Sequence, residues 1–131
     1  MNQVVTTTYL NKMSFESQID DFKIVLSSEG NGPGPKKMML ASLAACSGLD
    51  VVSILNKMRI EFSEFSLTTE AHLTEEHPKI YDEVTLIYNI KIDSKYSDKV
   101  LHAINLSVNK YCGVMEMFRK FADVKTKVNF I

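Results

Sequence analysis

The chain has 131 residues, a length that suits one domain, and we predict a single domain over residues 1–131. Its net charge is −1, with 15 dispersed basic residues, so we expect neither nucleic acid nor an anionic membrane as a partner. No signal peptide is visible, and no stretch reaches ~20 uninterrupted apolar residues. We therefore expect a cytoplasmic protein whose two cysteines, Cys46 and Cys112, are free thiols.

Three strands are predicted before the first helix. Val4–Tyr9 is rich in β-branched residues, and apolar and polar residues alternate over residues 13–19. Asn11–Lys12 fits a hairpin turn between these segments, and Asp20–Asp21 fits a second turn. A third strand starts at Phe22.

The central predicted element is a helix over Pro35–Met58. Proline suits the first helical position, because its φ is already helical and its missing N–H would be unpaired there. Apolar residues cover nearly the whole circumference, and a helix of this kind is buried on all sides. Such a short chain has little material with which to bury it, so we predict a homodimer.

One narrow strip of this helix is polar. Ser42, Cys46, Asp50, Ser53 and Lys57 recur at steps of three and four residues, which places them on one face. This strip predicts a crevice that contains Cys46. The alternative is that Cys46 is a small apolar residue that fills core space, as free cysteines commonly do.

The second half of the chain predicts a long hairpin, two helices and a last strand. Alternation over residues 65–73 and 84–92 gives the hairpin, and Ser97 is the predicted N-cap of the next helix. A short helix follows at Val114–Phe121, and the last strand contains residues 124–130. The predicted order is βββ–α–ββ–α–α–β, an α+β domain in which strands pack on the central helix.

Cys112 lies where the helical pattern restarts, and a helix N-terminus stabilises a thiolate. Two thiols of this kind suit a redox cycle in which one is oxidised to sulfenic acid and the other resolves it to a disulfide. The separation of 66 residues leaves open whether the two meet in space, and apolar neighbours could simply bury Cys112. No metal-binding spacing of cysteines or histidines occurs, so we predict neither a metal nor a cofactor.

The segments GPGPKKMMLASLAACSGLDVVSIL and YCGVMEMFRKFADVKTKV resemble the osmotically induced and organic hydroperoxide resistance (OsmC/Ohr) family. The chain resembles the OsmC-like branch more than the hydroperoxide reductases of the family. This resemblance implies antiparallel sheets packed on a central buried helix, in an intertwined homodimer with two active sites at the subunit interface. It also implies that Cys46 attacks a hydroperoxide, often an organic one, that Cys112 resolves the product, and that a dithiol supplies electrons.

The chain departs from the family pattern around the reactive thiol. The hydroperoxide reductases hold their thiolate with an arginine from the N-terminal strands and a glutamate ten residues before the cysteine. That second position is Lys36 here, and the chain's two arginines, Arg59 and Arg119, both follow Cys46. Lys36 or Lys37 is therefore the candidate electrostatic substitute, whereas Asp50, if close, would raise the thiol pKa.

Two functions follow from these observations. The first is thiol-dependent reduction of hydroperoxides, with Cys46 as nucleophile and Cys112 as resolving cysteine. The alternative is an OsmC-like protein with little peroxidase activity that acts as a thiol redox sensor or binds small apolar ligands. A peroxidase needs a Cys46 that is substantially ionised at neutral pH, so a measured thiol pKa separates the two.

Overall fold

The computed structural model describes residues 1–131. The predicted order of strands and helices is confirmed, with a 3₁₀ turn at Ser94–Tyr96 and a π-helical turn at Ser107–Tyr111 added around the second helix. The elements are β1 (Thr6–Asn11), β2 (Ser14–Ile19), β3 (Phe22–Ser27), α1 (Pro35–Lys57), β4 (Glu64–Leu73), β5 (Tyr81–Lys91), α2 (Ser97–Leu106), α3 (Gly113–Arg119) and β6 (Asp123–Phe130).

The chain forms two compact units, Met1–Leu40 and Ala41–Ile131. We call them the N-terminal unit and the C-terminal unit. Helix α1 begins in the first and continues through the second. That the whole chain acts as one domain stays a prediction.

The N-terminal unit contains an antiparallel sheet in the order β1-β2-β3. The first turn lies at Lys12 and Met13, not at Asn11–Lys12 as predicted, because a β-bulge near the end of β1 shifts the register and leaves Asn11 paired with Ser14. Lys12 adopts a positive φ of 46° at this turn. The second turn is at Asp20–Asp21, as predicted, and Asp20 also has a positive φ.

Helix α1 begins at Pro35, as predicted, and the Gly34 carbonyl accepts a 3.1 Å hydrogen bond from the Met38 N–H. Its buried residues lie along one face only, namely Leu43, Ser47, Gly48, Val51 and Leu55. Leu49 is 70% exposed, so the expected burial on all sides is not achieved within one chain. By length and composition alone α1 could cross a membrane, but core helices of soluble proteins meet the same criterion.

The C-terminal unit contains a sheet in the order β4-β5-β6. Strands β4 and β5 are antiparallel, but β5 and β6 are parallel, so the prediction of wholly antiparallel sheets is wrong for this pair. The chain passes through α2 and α3 between them, and such a crossover returns a strand in its original direction. The sheet packs on α1, since a Cβ placed on Gly48 would lie 3.1 Å from the Leu67 side chain.

The start of α2 also differs from the prediction. Ser97 is the first residue of the helix and not its N-cap, because the 3₁₀ turn precedes it and the Ser97 hydroxyl donates to the Ser94 carbonyl at 2.9 Å. Asp93 caps the 3₁₀ turn by accepting a hydrogen bond from the Lys95 N–H. Asp98 lies in the first turn of α2, where its negative charge interacts favourably with the helix dipole.

Candidate active site at the two cysteines

The structure brings Cys46 and Cys112 together in the C-terminal unit. Cys46 lies in the middle of α1 and is partly exposed, whereas Cys112 follows the π-helical turn, caps α3 and is 4% exposed. The Cys46 side chain lies close enough to Cys112 to raise the pKa of the Cys112 thiol. The question that the sequence left open is therefore answered, and the more accessible thiol is Cys46.

Cys112 is held in its protonated form. Burial raises the pKa of the Cys112 thiol to about 12, and its contact with Cys46 and the charge of Asp50 act in the same direction. The Met115 N–H, which donates to the Cys112 sulfur at 3.3 Å, lowers this pKa. The predicted stabilisation of a thiolate at the helix start is thus present, but it is outweighed. Cys112 is a thiol at neutral pH and can donate a hydrogen bond to Cys46.

A buried hydrogen-bond network lies in the same unit. The Ser47 hydroxyl lies 2.6 Å from the Tyr88 hydroxyl and 2.8 Å from the Ser107 hydroxyl. Ser107 donates to a carboxylate oxygen of Asp50 at 2.9 Å. Ser47, Tyr88 and Ser107 are all 0% exposed, and burial raises the pKa of the Tyr88 hydroxyl. The network therefore joins α1, β5 and the π-helical turn.

Sequence reasoning did not identify this network. The alternating pattern over residues 84–92 includes Tyr88 but does not indicate a role for its hydroxyl, and Ser47 is one of three serines on α1. Nothing in the sequence distinguishes Ser107, because its position depends on a π-helical turn that no local pattern predicts. The one feature of the sequence that points toward the network is the serine that directly follows Cys46.

A crevice of about 380 Å³ borders α1. Its lining is formed by Asp50, Ser53, Ile54, Lys57, Met58, Leu106 and Tyr111. The predicted polar strip thus lines a crevice through Asp50, Ser53 and Lys57. Ser42 and Cys46, the other members of the strip, are not part of this lining.

The charged residues that were proposed to replace the missing arginine lie in the N-terminal unit. Lys36 and Lys37 occupy the first turn of α1, and both are exposed. Arg119 pairs with Glu116 at 3.2 Å and donates to the Val108 carbonyl. Arg59 lies two residues beyond the C-terminal end of α1, with a φ of 58°.

The histidines and acids form no metal-binding group. No cluster of three or more His, Cys, Asp or Glu side chains in the 131 residues could hold a metal ion. His72 is paired with Asp82 at 2.7 Å on the surface, where both side chains are largely exposed. The chemistry that the described residues offer is therefore that of the two thiols.

Comparison with known proteins places this site in a family. The model of the OsmC-like protein family matches residues 28–127. Protein YhfA of Escherichia coli K12 is 30% identical over 98 residues, which cover 75% of this chain and 73% of that protein. A hypothetical protein of Aquifex aeolicus is 27% identical, with a TM-score of 0.85 and coverage of 100% of this chain and 98% of its own.

Two solved structures of lower sequence identity have the same fold. An OsmC-like protein of Mycoplasma pneumoniae has a TM-score of 0.85 at 16% identity, covering 100% of this chain and 98% of its own. The organic hydroperoxide resistance protein OhrB of Bacillus subtilis has a TM-score of 0.69 at 18% identity, covering 98% of each chain. At these identities the likeness concerns the fold, and the fold is nearer to the OsmC-like structure. The chain belongs to the OsmC-like protein family.

Proposed function

We propose that the protein reduces organic hydroperoxides by thiol chemistry, with Cys46 as the attacking and Cys112 as the resolving cysteine. The observation that carries this proposal is the contact between the partly exposed Cys46 and the buried Cys112. A thiol that meets substrate must be accessible, and a thiol that resolves it must lie within reach of the first sulfur. The substrate class is taken from solved proteins of the same fold that are named for organic hydroperoxide resistance, such as OhrB of Bacillus subtilis.

The proposed reaction has three steps. The Cys46 thiolate attacks the terminal peroxide oxygen, the O–O bond breaks, and Cys46 becomes sulfenic acid, while the departing alkoxide takes a proton from water and leaves as the alcohol. The Cys112 sulfur then attacks the Cys46 sulfur, and the hydroxide of the sulfenic acid leaves with the Cys112 proton as water. A dithiol finally supplies two electrons and two protons, which restore both thiols.

The difference between the two thiols supports this order of events. Because its pKa is raised to about 12, Cys112 carries its proton at neutral pH and is a poor nucleophile on its own. The same proton is then available for the departing hydroxide in the second step.

Lys36 and Lys37 are proposed as the positive charge that replaces the arginine and glutamate of the hydroperoxide reductases. Their support is the family pattern at position 36 and their exposed position on the helix that carries Cys46. Lysine supplies charge but lacks the planar fork with which arginine holds two oxygen or sulfur atoms together. We therefore expect reduction of hydroperoxides to be slow, by roughly ten- to hundredfold, relative to a site with arginine.

We further propose that the working form is a cytoplasmic homodimer. Members of the family are typically dimers. In the single chain Tyr9, Phe15, Ile19 and Phe22 lie on one face of the N-terminal sheet and are 43–75% exposed. A second copy is the occupant that the family membership supports for this apolar face. A cytoplasmic location is proposed because it keeps thiols reduced.

The decisive experiment follows both thiols after oxidation. Reduced protein receives one equivalent of cumene hydroperoxide, and mass analysis without reductant counts the thiols and the disulfides. The wild type should lose both thiols and form one Cys46–Cys112 disulfide within a chain. Cys46→Ser should show no reaction with the peroxide, and Cys112→Ser, its matched control, should stop at sulfenic or sulfinic acid on Cys46. A Cys46→Ser variant that consumes peroxide at the wild-type rate would refute the assignment.

The second candidate is a thiol redox sensor, and the geometry of the cysteine pair also favours it. Two neighbouring thiols can close to a disulfide whether or not the site turns over rapidly. The two functions separate under excess peroxide and a dithiol reductant such as dithiothreitol. A reductase turns over repeatedly, whereas a sensor reaches one disulfide per chain and adds little to the background rate. The ligand-binding alternative predicts no thiol loss at all.

A further inference from the structure

We propose that Tyr88, Ser47, Ser107 and Asp50 form a positioning brace that holds Cys46 and Cys112 in register for disulfide closure. The inference rests on the proposed roles of the two cysteines. It assigns these four residues to the second chemical step, disulfide closure.

The brace reaches both cysteines through the backbone. Ser47 directly follows Cys46 on α1, and its hydroxyl lies 2.8 Å from that of Ser107. The Ser107 carbonyl accepts the Cys112 N–H at 2.8 Å, the five-residue hydrogen bond that closes the π-helical turn. Isolated π-helical turns occur frequently at functional sites. One pair of serines therefore connects the neighbour of the attacking cysteine to the turn that presents the resolving one.

The direction of the hydrogen bonds in the brace follows from counting protons. The Asp50 carboxylate only accepts, so the single Ser107 hydroxyl proton points to Asp50 at 2.9 Å in preference to the Ser47 carbonyl at 3.3 Å. Ser107 must then accept from Ser47, and Ser47 must accept from Tyr88. Every hydroxyl donates toward Asp50. These hydrogen bonds allow only one arrangement of the protons, and the three hydroxyls are fully buried. The brace therefore has a single geometry and resists local motion.

Disulfide closure is sensitive to such motion. The two sulfurs must approach from hydrogen-bonding contact to a covalent bond of ~2.05 Å with a restricted dihedral angle. Cys46 sulfenic acid and the Cys112 thiol then give the disulfide and one water, with no other reactant. The rate of such an intramolecular step depends on how often the groups hold the reactive orientation. A loosened π-helical turn should therefore slow closure and leave the first step, attack on peroxide, unaffected.

The test compares two substitutions in the brace with one core substitution outside it. Ser107→Ala cuts the link between α1 and the turn, and we expect closure to slow about tenfold. Asp50→Ala should slow it less, because the Ser107 hydroxyl can turn to the Ser47 carbonyl. Val84→Ala, in the buried core of β5, is the matched control: it should lower the melting temperature without changing closure.

Closure is measured separately from attack. Samples are quenched at short times after one equivalent of cumene hydroperoxide is added, and their masses are measured. They give the rate at which the Cys46 thiol is lost and the rate at which the disulfide appears. In Ser107→Ala the first rate should equal that of the wild type, the second should fall, and sulfinic acid on Cys46 should accumulate at higher peroxide. Equal closure rates in folded Ser107→Ala and wild type would overturn the brace. If Ser107→Ala does not fold, Asp50→Ala decides by the same comparison.

Asp50→Asn distinguishes positioning from charge. Asparagine keeps an oxygen acceptor for Ser107, so a positioning role predicts faster closure in Asp50→Asn than in Asp50→Ala. Equal impairment of the two variants would mean that the carboxylate charge is what matters, and would overturn the proposal.

The oxidant diamide separates this proposal from the proposed function. Diamide accepts two electrons from the thiol pair and forms the disulfide without peroxide. If peroxide leaves wild-type thiols intact, the reductase function fails, but the ratio of diamide-driven closure in Ser107→Ala and wild type still tests the brace. A slower rate supports it, and an unchanged rate overturns it.

Discussion

The two sheets of the molecule follow similar sequence patterns but bury opposite kinds of side chain. In the C-terminal sheet, β5 buries its alternate residues, and Tyr81, Val84, Leu86, Tyr88 and Ile90 are at most 8% exposed. In the N-terminal sheet, the residues buried to 5% or less are Ser14, Ser17 and Ser27, while Phe15 and Phe22 are 45% and 75% exposed. One sheet has a complete core within the chain, and the other presents apolar side chains to solvent.

This difference shows that the single chain leaves one apolar face unburied, and that this face lies on the N-terminal sheet. Apolar burial stabilises by ~25 cal/mol per Å², so an exposed face of aromatic residues is stabilisation that the isolated chain does not gain. Tyr9 and Phe15 already meet edge to face, with ring centroids 5.4 Å apart, and a cavity of about 650 Å³ lies over the same face. The C-terminal unit, by contrast, holds both the core and the candidate chemistry. The proposed dimer would supply what the first sheet lacks.

The largest expected effect breaks the proposed dimer at the N-terminal sheet. Phe15→Asp places a charge on the apolar face of each protomer, and burying an unpaired carboxylate is costly. We expect the dimer dissociation constant to rise by a factor of roughly a thousand, or ~4 kcal/mol. Sedimentation equilibrium measures it. Thr6→Asp adds the same charge to the opposite face of the sheet and serves as the control. A Phe15→Asp protein that stays dimeric at micromolar concentration would show that this face is not the interface.

The next largest effect tests whether the C-terminal sheet has a complete core within one chain. Leu86 is 0% exposed in the middle strand of the C-terminal sheet, and Leu86→Ala should lower the free energy of unfolding by about 3 kcal/mol. Urea denaturation measures this loss, which should be the same at all protein concentrations. Glu70→Gln, at an exposed position of β4, should change it by less than ~0.5 kcal/mol. A small effect of Leu86→Ala would mean that this sheet, too, depends on a partner.

The sequence predicted the elements of both sheets but not this difference between them. Alternation and turn residues are local signals, which is why the order of strands and helices and the start of α1 at Pro35 were predicted correctly. Burial depends on what packs against a face, and that is a tertiary property. The parallel pairing of β5 with β6 and the burial of Ser14 and Ser17 are for this reason absent from any local pattern.

The candidate site was predictable to the same extent. Residue chemistry and the family pattern identified Cys46 and Cys112, but their contact requires the π-helical turn before Cys112. In this turn the Cys112 N–H donates to the Ser107 carbonyl across five residues, and no residue spacing specifies that hydrogen bond. The raised pKa of Cys112 likewise follows from burial, which outweighs the favourable helix start that the sequence suggested.

A smaller effect tests the buried interior of the C-terminal unit by pH. The pKa of Cys112 is raised from 9.0 to about 12 in the folded protein, mainly by burial. Between these values the unfolded chain loses the thiol proton and the folded chain keeps it, so stability is fully present below pH 9 and falls as the pH rises toward 12. The melting temperature of the wild type should therefore fall more steeply above pH 9 than that of Cys112→Ala. Comparing the two proteins cancels the titration of the tyrosines, which both contain. Parallel curves would show that Cys112 is not desolvated.

The smallest expected effect concerns His72 and Asp82, an exposed pair on the C-terminal sheet. We expect this surface to contact solvent and not a partner. The hydrogen bond with Asp82 raises the pKa of His72, and the same bond lowers the pKa of Asp82, although both side chains are largely exposed. Asp82→Asn should return the His72 pKa toward 6.5, which NMR titration of the imidazole protons measures.

Any contribution of this pair to stability would be present below the unfolded histidine pKa and lost above the folded one, and at an exposed pair it is screened by solvent and salt. We therefore expect the melting temperature of Asp82→Asn to match that of the wild type at pH 5 and at pH 8. Glu70→Gln, a neutralised carboxylate outside the pair, is the control for the loss of one negative charge. A clear loss of stability at pH 5 alone would show that this part of the C-terminal sheet is covered in the working protein. The C-terminal sheet would then also depend on a partner, as is proposed for the N-terminal sheet.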